Sequence, residues 1–568
     1  MVSEKVFLVA LGKEPADLLL KNARLVDVIS GEIRRGELAV AEGYVVGFGA
    51  RKARQVVDLR GKYLAPGFID THVHLESSQV TPPEFARAVL PRGTTCLIAD
   101  PHEIANVLGQ EGIRYLLDAT ASLPLRCYFM APACVPASPW ETAGAELGAR
   151  EIAEILRWER VLGLGEFMNF PGVLAREEVA WAKLKAAQNR PIDGHAPGLS
   201  GAELWAYVLA GPRTDHEATA LEEAREKLAC GVHVLIREGT TARNLLPLLP
   251  LLTPHTAPFV HFCTDDRHPE TLLSEGHLDG MLRQAIARGV PPLVACAAAT
   301  LHAARAFRLW DLGALAPGYR ADFTVLSDLE QVRIEAVYVG GELVAREGEC
   351  LVPLAAEEPA GLRATVRVNP EQLSFSIPAR GKKARVIGVV PGQVFTRALL
   401  VSPKLQGGEV VADPARDLLK LAVVERHRGT GNVGLGLVQG FGLRAGALAS
   451  TVAHDAHNLV VVGASDEDMR RAVAELVRLG GGQVVVAGGE VQAALPLPIA
   501  GLMSDRRLEE VARLGRELVR AAHGLGCILP DPFMTLSFLA LPVIPALKLT
   551  DRGLVDVEAF QLVPLFVA

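Results

Sequence analysis

The sequence contains no C-x-x-C pair, and its eight cysteines are scattered over 568 residues. That excludes a thiolate zinc site of the common kind and any evident disulfide framework, and it points to a reduced, cytoplasmic setting. There is no excess of basic residues. The net charge is −7, which leaves no electrostatic footprint for nucleic acid. No uninterrupted apolar run reaches the roughly 20 residues that a membrane helix needs. The most apolar late stretch, FLALPVIPALKL, is short and broken by two prolines. The opening MVSEKVFLVALGKEPADLL lacks the charged-then-apolar pattern of a secretory signal. No internal repeat or low-complexity segment occurs. The glycine-rich stretches GNVGLGLVQGFGLRAG and LGGGQVVVAGG lack the phosphate-loop pattern and a strand–G-x-G-x-x-G–helix context. They read as turns and close backbone packing.

The composition is 49% hydrophobic and 22% charged, as in globular proteins, and the length predicts two or three domains. Up to Pro66 the chain reads as short strands between glycine-containing turns. From there, eight apolar runs alternate with helical stretches such as PPEFARAVLPR, REEVAWAKLKAAQ and EEAREKLACG. The runs are GFIDTHVH, GTTCLIADPH, RCYFMAPAC, VLGLGEFM, PIDGHAP, RTDHEA, HVLIREG and FVHFCTDD. Strand–helix alternation predicts a parallel sheet, and eight units in about 230 residues predict an α/β fold of the (β/α)₈ barrel type. RTDHEA is polar and PIDGHAP is flanked by prolines, so these two strands rest on context. YVGGELVAREGECLV reads as a hairpin with a Gly-Gly turn, and Pro353 to Leu362, PLAAEEPAGL, as a linker. After it, ARVIGVV and HNLVVVGAS read as strands and EDMRRAVAELVRLG as a helix of a C-terminal α+β domain.

PGFIDTHVHLESS carries His72 and His74 two residues apart at a strand end, where side chains i and i+2 share one side. In a barrel, the C-terminal strand ends converge on one site. Those ends supply His72, His74, Asp100, His102, Glu166, His195, His216, Glu217, Glu238, Asp265 and Asp266. Four imidazoles with two or three carboxylates suit one or two divalent ions such as Mn²⁺, Fe²⁺ or Zn²⁺. Glu166 can bridge two cations, and Asp265 can accept the proton of a water activated between them.

These residues resemble a known family. PGFIDTHVHLESS is similar to the first-strand motif of the amidohydrolase superfamily, and GALAPGYRADFTVL to the returning half of its small β-domain. Within the superfamily the chain resembles the adenine deaminases of bacterial type. The matching stretches are DPHEIANVLG, GLGEFMNFPGV, IDGHAPGLSG, DHEAT, IREGTTARNL and FCTDDRHPETLLSEGHLDG, and beyond the barrel HDAHNLVVVG and PLPIAGLMSD. The resemblance implies a composite β-domain from residues 1–65 and 313–352, a metal-dependent hydrolase barrel over 66–312, and a C-terminal domain over 362–568. It implies a dinuclear metal site, Mn²⁺ or Fe²⁺ before Zn²⁺, held by His72, His74, His195, His216, Glu166 as bridge and Asp265 as ligand and proton acceptor. It further implies hydrolytic deamination of adenine to hypoxanthine and ammonia by a metal-bound hydroxide, in purine salvage, by a homo-oligomer.

An acid must protonate the purine ring, because an anionic ring nitrogen is costly in a dry site. His102, Glu217 and Glu238 are open for that role or for holding the purine edge. Ser77, Ser78, Glu238 and Asp266 are the expected substrate contacts. The zinc nucleobase deaminase signature with P-C-x-x-C is absent, since PACVPA has a single cysteine. His302 in AATLHAARAF stands where the family pattern has Asn, which bears on local packing. The HDAHN segment, His454 to Asn458, reads as facing the site mouth, a further metal, or the core. The rival functions are opening of a cyclic amide and a non-catalytic scaffold.

Overall fold

The computed structural model describes residues 2–354 and 360–567, so residues 355–359 of the expected linker lie outside the described residues. All eight apolar runs contain strands, labelled here β1 (Phe68–Val73), β2 (Thr94–Ala99), β3 (Arg126–Ala131), β4 (Val161–Phe167), β5 (Ile192–Gly194), β6 (Thr214–Asp215), β7 (His233–Arg237) and β8 (Val260–Cys263). They form parallel sheets of five and three strands. The Arg213 N–H donates to the Ile192 carbonyl at 3.1 Å between β5 and β6. A parallel bridge between Val73 and Asp265 closes β8 onto β1. The two least apolar runs give the two shortest strands, so neighbours rather than propensity hold them in place. Alternate side chains, Ile69, Cys96, Ile98, Met130, Leu235 and Cys263, fill the barrel interior, and Phe307, Leu309 and Leu312 plug its floor.

The expected helices appear at Pro82–Val89, Glu178–Ala186 and Leu221–Ala229. Phe323–Asp328 pairs antiparallel with Tyr63–Pro66, so segments on either side of the barrel share one nine-stranded sheet. Its hairpin turns on Gly340 and Gly341 at φ of 59° and 80°, values that favour glycine. The all-strand reading of the first 65 residues misses a helix, Glu4–Ala10, which the Ser3 hydroxyl caps by accepting from the Val6 N–H.

The chain after residue 362 builds a second nine-stranded sheet. Helix Asp466–Leu479 packs on it, burying Met469, Ala472, Val473 and Leu476. Gly434 shows why the glycine-rich segment is not a ligand loop: a Cβ there would lie 1.8 Å from the Thr550 carbonyl oxygen. Among the described residues no helix is long and apolar enough to cross a membrane.

Candidate metal centre

The ends of β1, β4, β5, β6 and β8 bring His72, His74, Glu166, His195, His216 and Asp265 together. The seam between β8 and β1 sets the register. Asp265 N–H donates to the His72 carbonyl at 3.0 Å, and His74 N–H to the Asp265 carbonyl at 3.2 Å. Asp265 adopts φ of 55°, a left-handed conformation that aspartate tolerates.

Both first-strand imidazoles are oriented through Nδ1. His72 Nδ1 donates to Asp193 Oδ2 at 2.8 Å, and His74 Nδ1 donates to the Asp100 carbonyl at 2.8 Å. Their Nε2 atoms then face each other at 3.2 Å. Two lone pairs, or two N–H groups, repel at that distance. A cation between them removes the conflict, and fixing a ligand imidazole through its other nitrogen is the usual outer support of a metal site.

Glu166 divides its carboxylate between two sets of imidazoles. Oε1 lies 3.3 Å from His74 Nε2 and 3.8 Å from His72 Nε2, while Oε2 lies 2.5 Å from His195 Nδ1 and 3.4 Å from His216 Nε2. Asp265 Oδ1 stands 3.1 Å from His74 Nε2 and 3.4 Å from His72 Nε2, and its Oδ2 accepts from Arg237 Nη1 at 3.0 Å. A nitrogen-and-oxygen donor set split by one carboxylate fits two divalent cations. Buried polar atoms around it lack hydrogen-bond partners, including His216 Nδ1, His102 Nδ1 and Asp100 Oδ1.

Burial works against charge on these imidazoles, yet the carboxylates outweigh it. Asp193, Asp265 and Glu166 push His72 up to about 10, and Glu217 with Glu166 pushes His195 up to about 9. The pocket favours positive charge, which protons or cations could supply, and a cation bound there would displace protons. Burial raises the Glu217 carboxyl, but Arg237, His195 and His216 hold it down at about 2.

The other expected residues fall in different places. Glu217 pairs with Arg237 and lies 3.4 Å from His216 Nε2. His102 Nδ1 is 3.3 Å from Glu166 Oε1. Asp266 accepts from the Ser77 hydroxyl. Ser78 is fully buried and donates to the Leu75 carbonyl at 2.6 Å, a local bond. Glu238 accepts from the Leu245 N–H at 3.0 Å at the start of the next helix. His302 lies on helix Leu301–Ala306, beside His261 rather than among the donors.

Sequence reasoning missed Asp193, Arg237, Glu76 and Glu103. Gly165 carried a signal that only the fold decodes: a Cβ there would lie 2.2 Å from Asp100 Oδ2, which accepts the Glu166 N–H at 2.7 Å. The C-terminal HDAHN segment meets the barrel at Glu103. His454 Nδ1 is 2.7 Å from Glu103 Oε1, and His457 Nε2 contacts Oε2. His457 Nδ1 accepts the Ala453 N–H at 3.1 Å. Its proton therefore sits on Nε2 and is donated to Glu103. Glu103 Oε1 is also 3.4 Å from His102 Nε2. Glu76, Ser77, Glu103 and His454 line one cavity beside these groups.

Histidine pairs and carboxylates at the carboxyl end of a closed parallel barrel define a metal-dependent hydrolase. Residues 63–344 match the amidohydrolase family, and residues 393–561 match the adenine deaminase C-terminal domain. Adenine deaminase 2 of Carboxydothermus hydrogenoformans is 52% identical over 98% of both chains. The adenine deaminase of Desulfatibacillum aliphaticivorans is 49% identical over 100% of both, and that of Methanothrix thermoacetophila 50% identical over 99% of both. A crystal structure of an adenine deaminase aligns with 58% of this chain and 99% of its own, at 18% identity and a TM-score of 0.46. The chain belongs to the adenine deaminase family of amidohydrolases.

Proposed function

We propose that the chain hydrolyses adenine to hypoxanthine and ammonia in purine salvage. The reaction consumes one water, breaks the exocyclic C6–N bond and releases its nitrogen as ammonia. The single observation that carries the reading is the Glu166 carboxylate, with one oxygen toward His72 and His74 and the other toward His195 and His216. These five residues with Asp265 would hold two divalent cations, Mn²⁺ or Fe²⁺ and alternatively Zn²⁺, which suit a donor set of imidazole and carboxylate. Cations held there would supply the Lewis acidity that makes water a nucleophile at neutral pH.

The protein's own groups do the rest. Asp265 Oδ1 takes the proton of the attacking water, while Arg237 keeps the other oxygen occupied. Glu217, held ionised, serves as an acceptor toward the purine edge and not as the acid. We assign ring protonation to His102. Burial disfavours its charge, but Glu103 and Asp100 overcome that and raise it well above the ordinary imidazole range. Glu238 is given to capping a helix and Ser78 to a local turn, which leaves Ser77 with Asp266 as the polar edge for substrate. The eight free thiols accord with a cytoplasmic enzyme, and a symmetric homo-oligomer is the default assembly for such a chain.

The test follows ammonia release from adenine and adenosine, and ring opening of dihydroorotate to carbamoyl aspartate, with metal-reconstituted protein. Release from adenine, suppressed by a chelator, is expected. Turnover of dihydroorotate without adenine would assign the pocket to cyclic amides instead.

A further inference from the structure

At the opposite end of the barrel, the N-terminal ends of β5, β6 and β7 open onto a cavity of about 780 Å³. That lies within the roughly 300–1,000 Å³ of small-molecule sites. Its lining includes five cationic side chains, Lys185, Arg190, Arg213, Arg305 and Arg308, and no Asp or Glu among the described residues. This is unusual in a chain whose net charge is −7 and whose other arginines repeatedly meet carboxylates, as Arg126 does Asp322, Arg243 Glu275 and Arg320 Asp311.

Three of the guanidiniums are braced by backbone carbonyls, and none of them meets a carboxylate among the described residues. Arg190 Nη1 donates to the Val161 carbonyl at 3.0 Å, Arg213 Nη1 to the Val208 carbonyl at 3.0 Å, and Arg308 Nη1 to the Asn189 carbonyl at 2.5 Å. Each leaves further N–H groups for a ligand. All five cations are solvent-exposed and meet no carboxylate among the described residues, so their charge is available to an anion entering the cleft. Forked donors of this kind suit phosphate oxygens.

The cleft also offers flat apolar surface. Trp181 is fixed by its indole N–H, which donates to the Val173 carbonyl at 3.0 Å, and Trp310 is 68% exposed. Gln188 and Asn189 add amide groups of both polarities. Phosphate-binding forks, aromatic faces and amides in one cavity match a nucleoside phosphate: anion, ring and hydrogen-bonding ring edge.

We propose that this cleft, at the floor of the barrel and lined by none of the candidate metal donors, is a binding site for a nucleoside monophosphate. The reading does not depend on the substrate assigned above. It is tested on the full-length protein by calorimetric titration with AMP, UMP, adenosine and inorganic phosphate, and by repeating the titrations on the double variant Arg305→Glu/Arg308→Glu. The expected result is one nucleotide per chain, with adenosine and phosphate each at least about tenfold weaker. Binding weakens with added salt and is lost in the double variant. Adenine turnover in the absence of nucleotide stays at the wild-type value in that variant, which shows that it folds. No heat with either nucleotide, or nucleotide binding unchanged in the folded double variant, would overturn the site. Phosphate binding as tightly as AMP would overturn its nucleotide character.

Discussion

Asp193 fixes which nitrogen of His72 faces the metal centre, and replacing it separates two effects that are usually confounded. The His72–Asp193 bond is 2.8 Å long between side chains that are each 1% exposed. A buried hydrogen bond to a charged group contributes about 1.5–3 kcal/mol, which corresponds to about 10- to 150-fold in an equilibrium constant. Asp193→Ala should weaken metal binding within that range, because His72 loses its orientation but can still place either tautomer. Asp193→Asn should be worse. Asp193 Oδ1 accepts both the Gly194 N–H, at 3.0 Å, and the Thr214 hydroxyl. The asparagine carbonyl must take that place, and its NH₂ then points at His72 Nδ1. That nitrogen becomes an acceptor, and the ring proton moves to Nε2, the atom a cation needs. Metal affinity measured by competition with a chromophoric chelator should fall in the order wild type, Ala, Asn. Thermal melts of the metal-free proteins would show that all three fold. An Asn variant that binds metal better than the Ala variant would refute the tautomer argument.

Other consequences follow from single contacts. Burial raises the Glu76 carboxyl from 4.5 to about 7, partly opposed by the Ile104 N–H. Between those values the folded chain keeps a proton that the unfolded chain has released. Stability therefore falls as pH rises from 4.5 to 7, by about 3 kcal/mol in total. Glu76→Gln should flatten that slope in denaturant titrations at pH 5 and pH 7.5; an unchanged slope would exclude Glu76 as its source. In Gly165→Ala the new methyl meets Asp100 Oδ2, and such overpacking costs about 1–3 kcal/mol. Both Tm and metal content should drop, because Asp100 also holds the Glu166 backbone. His457→Ala removes one of the two C-terminal imidazoles that hold Glu103, leaving His454, and should cut turnover by about tenfold with the metal complement retained, in line with the loss of a supporting partner. Normal turnover would leave His457 a packing role alone.

The legible and illegible parts of this protein differ by how far apart the cooperating residues lie. The His72–His74 pair is visible because a strand puts i and i+2 on one side. The apolar β2, β4 and β8 are visible because buried strands need continuous apolar runs. β5 and β6, of three and two residues, were readable only through the count of eight. The supporting groups carry no local mark. Asp193 lies 121 residues from His72, and His457 lies 354 residues from Glu103. Helix Glu4–Ala10 escaped because seven residues are too few to establish a 3.6-residue period against a background of strands. Glu238 and Ser78 read as site residues by position, and the fold adds that a local backbone group meets one Glu238 carboxylate oxygen and the Ser78 hydroxyl.

The central claim is that one carboxylate, Glu166, organises two cations for adenine hydrolysis. The most direct measurement titrates Mn²⁺ into metal-free wild type and Glu166→Gln, and follows bound metal and hypoxanthine formation in the same samples. Two ions per wild-type chain are expected, with turnover rising as the second site fills, and at most one ion without turnover in Glu166→Gln. Two ions bound and wild-type hypoxanthine formation in Glu166→Gln would contradict it.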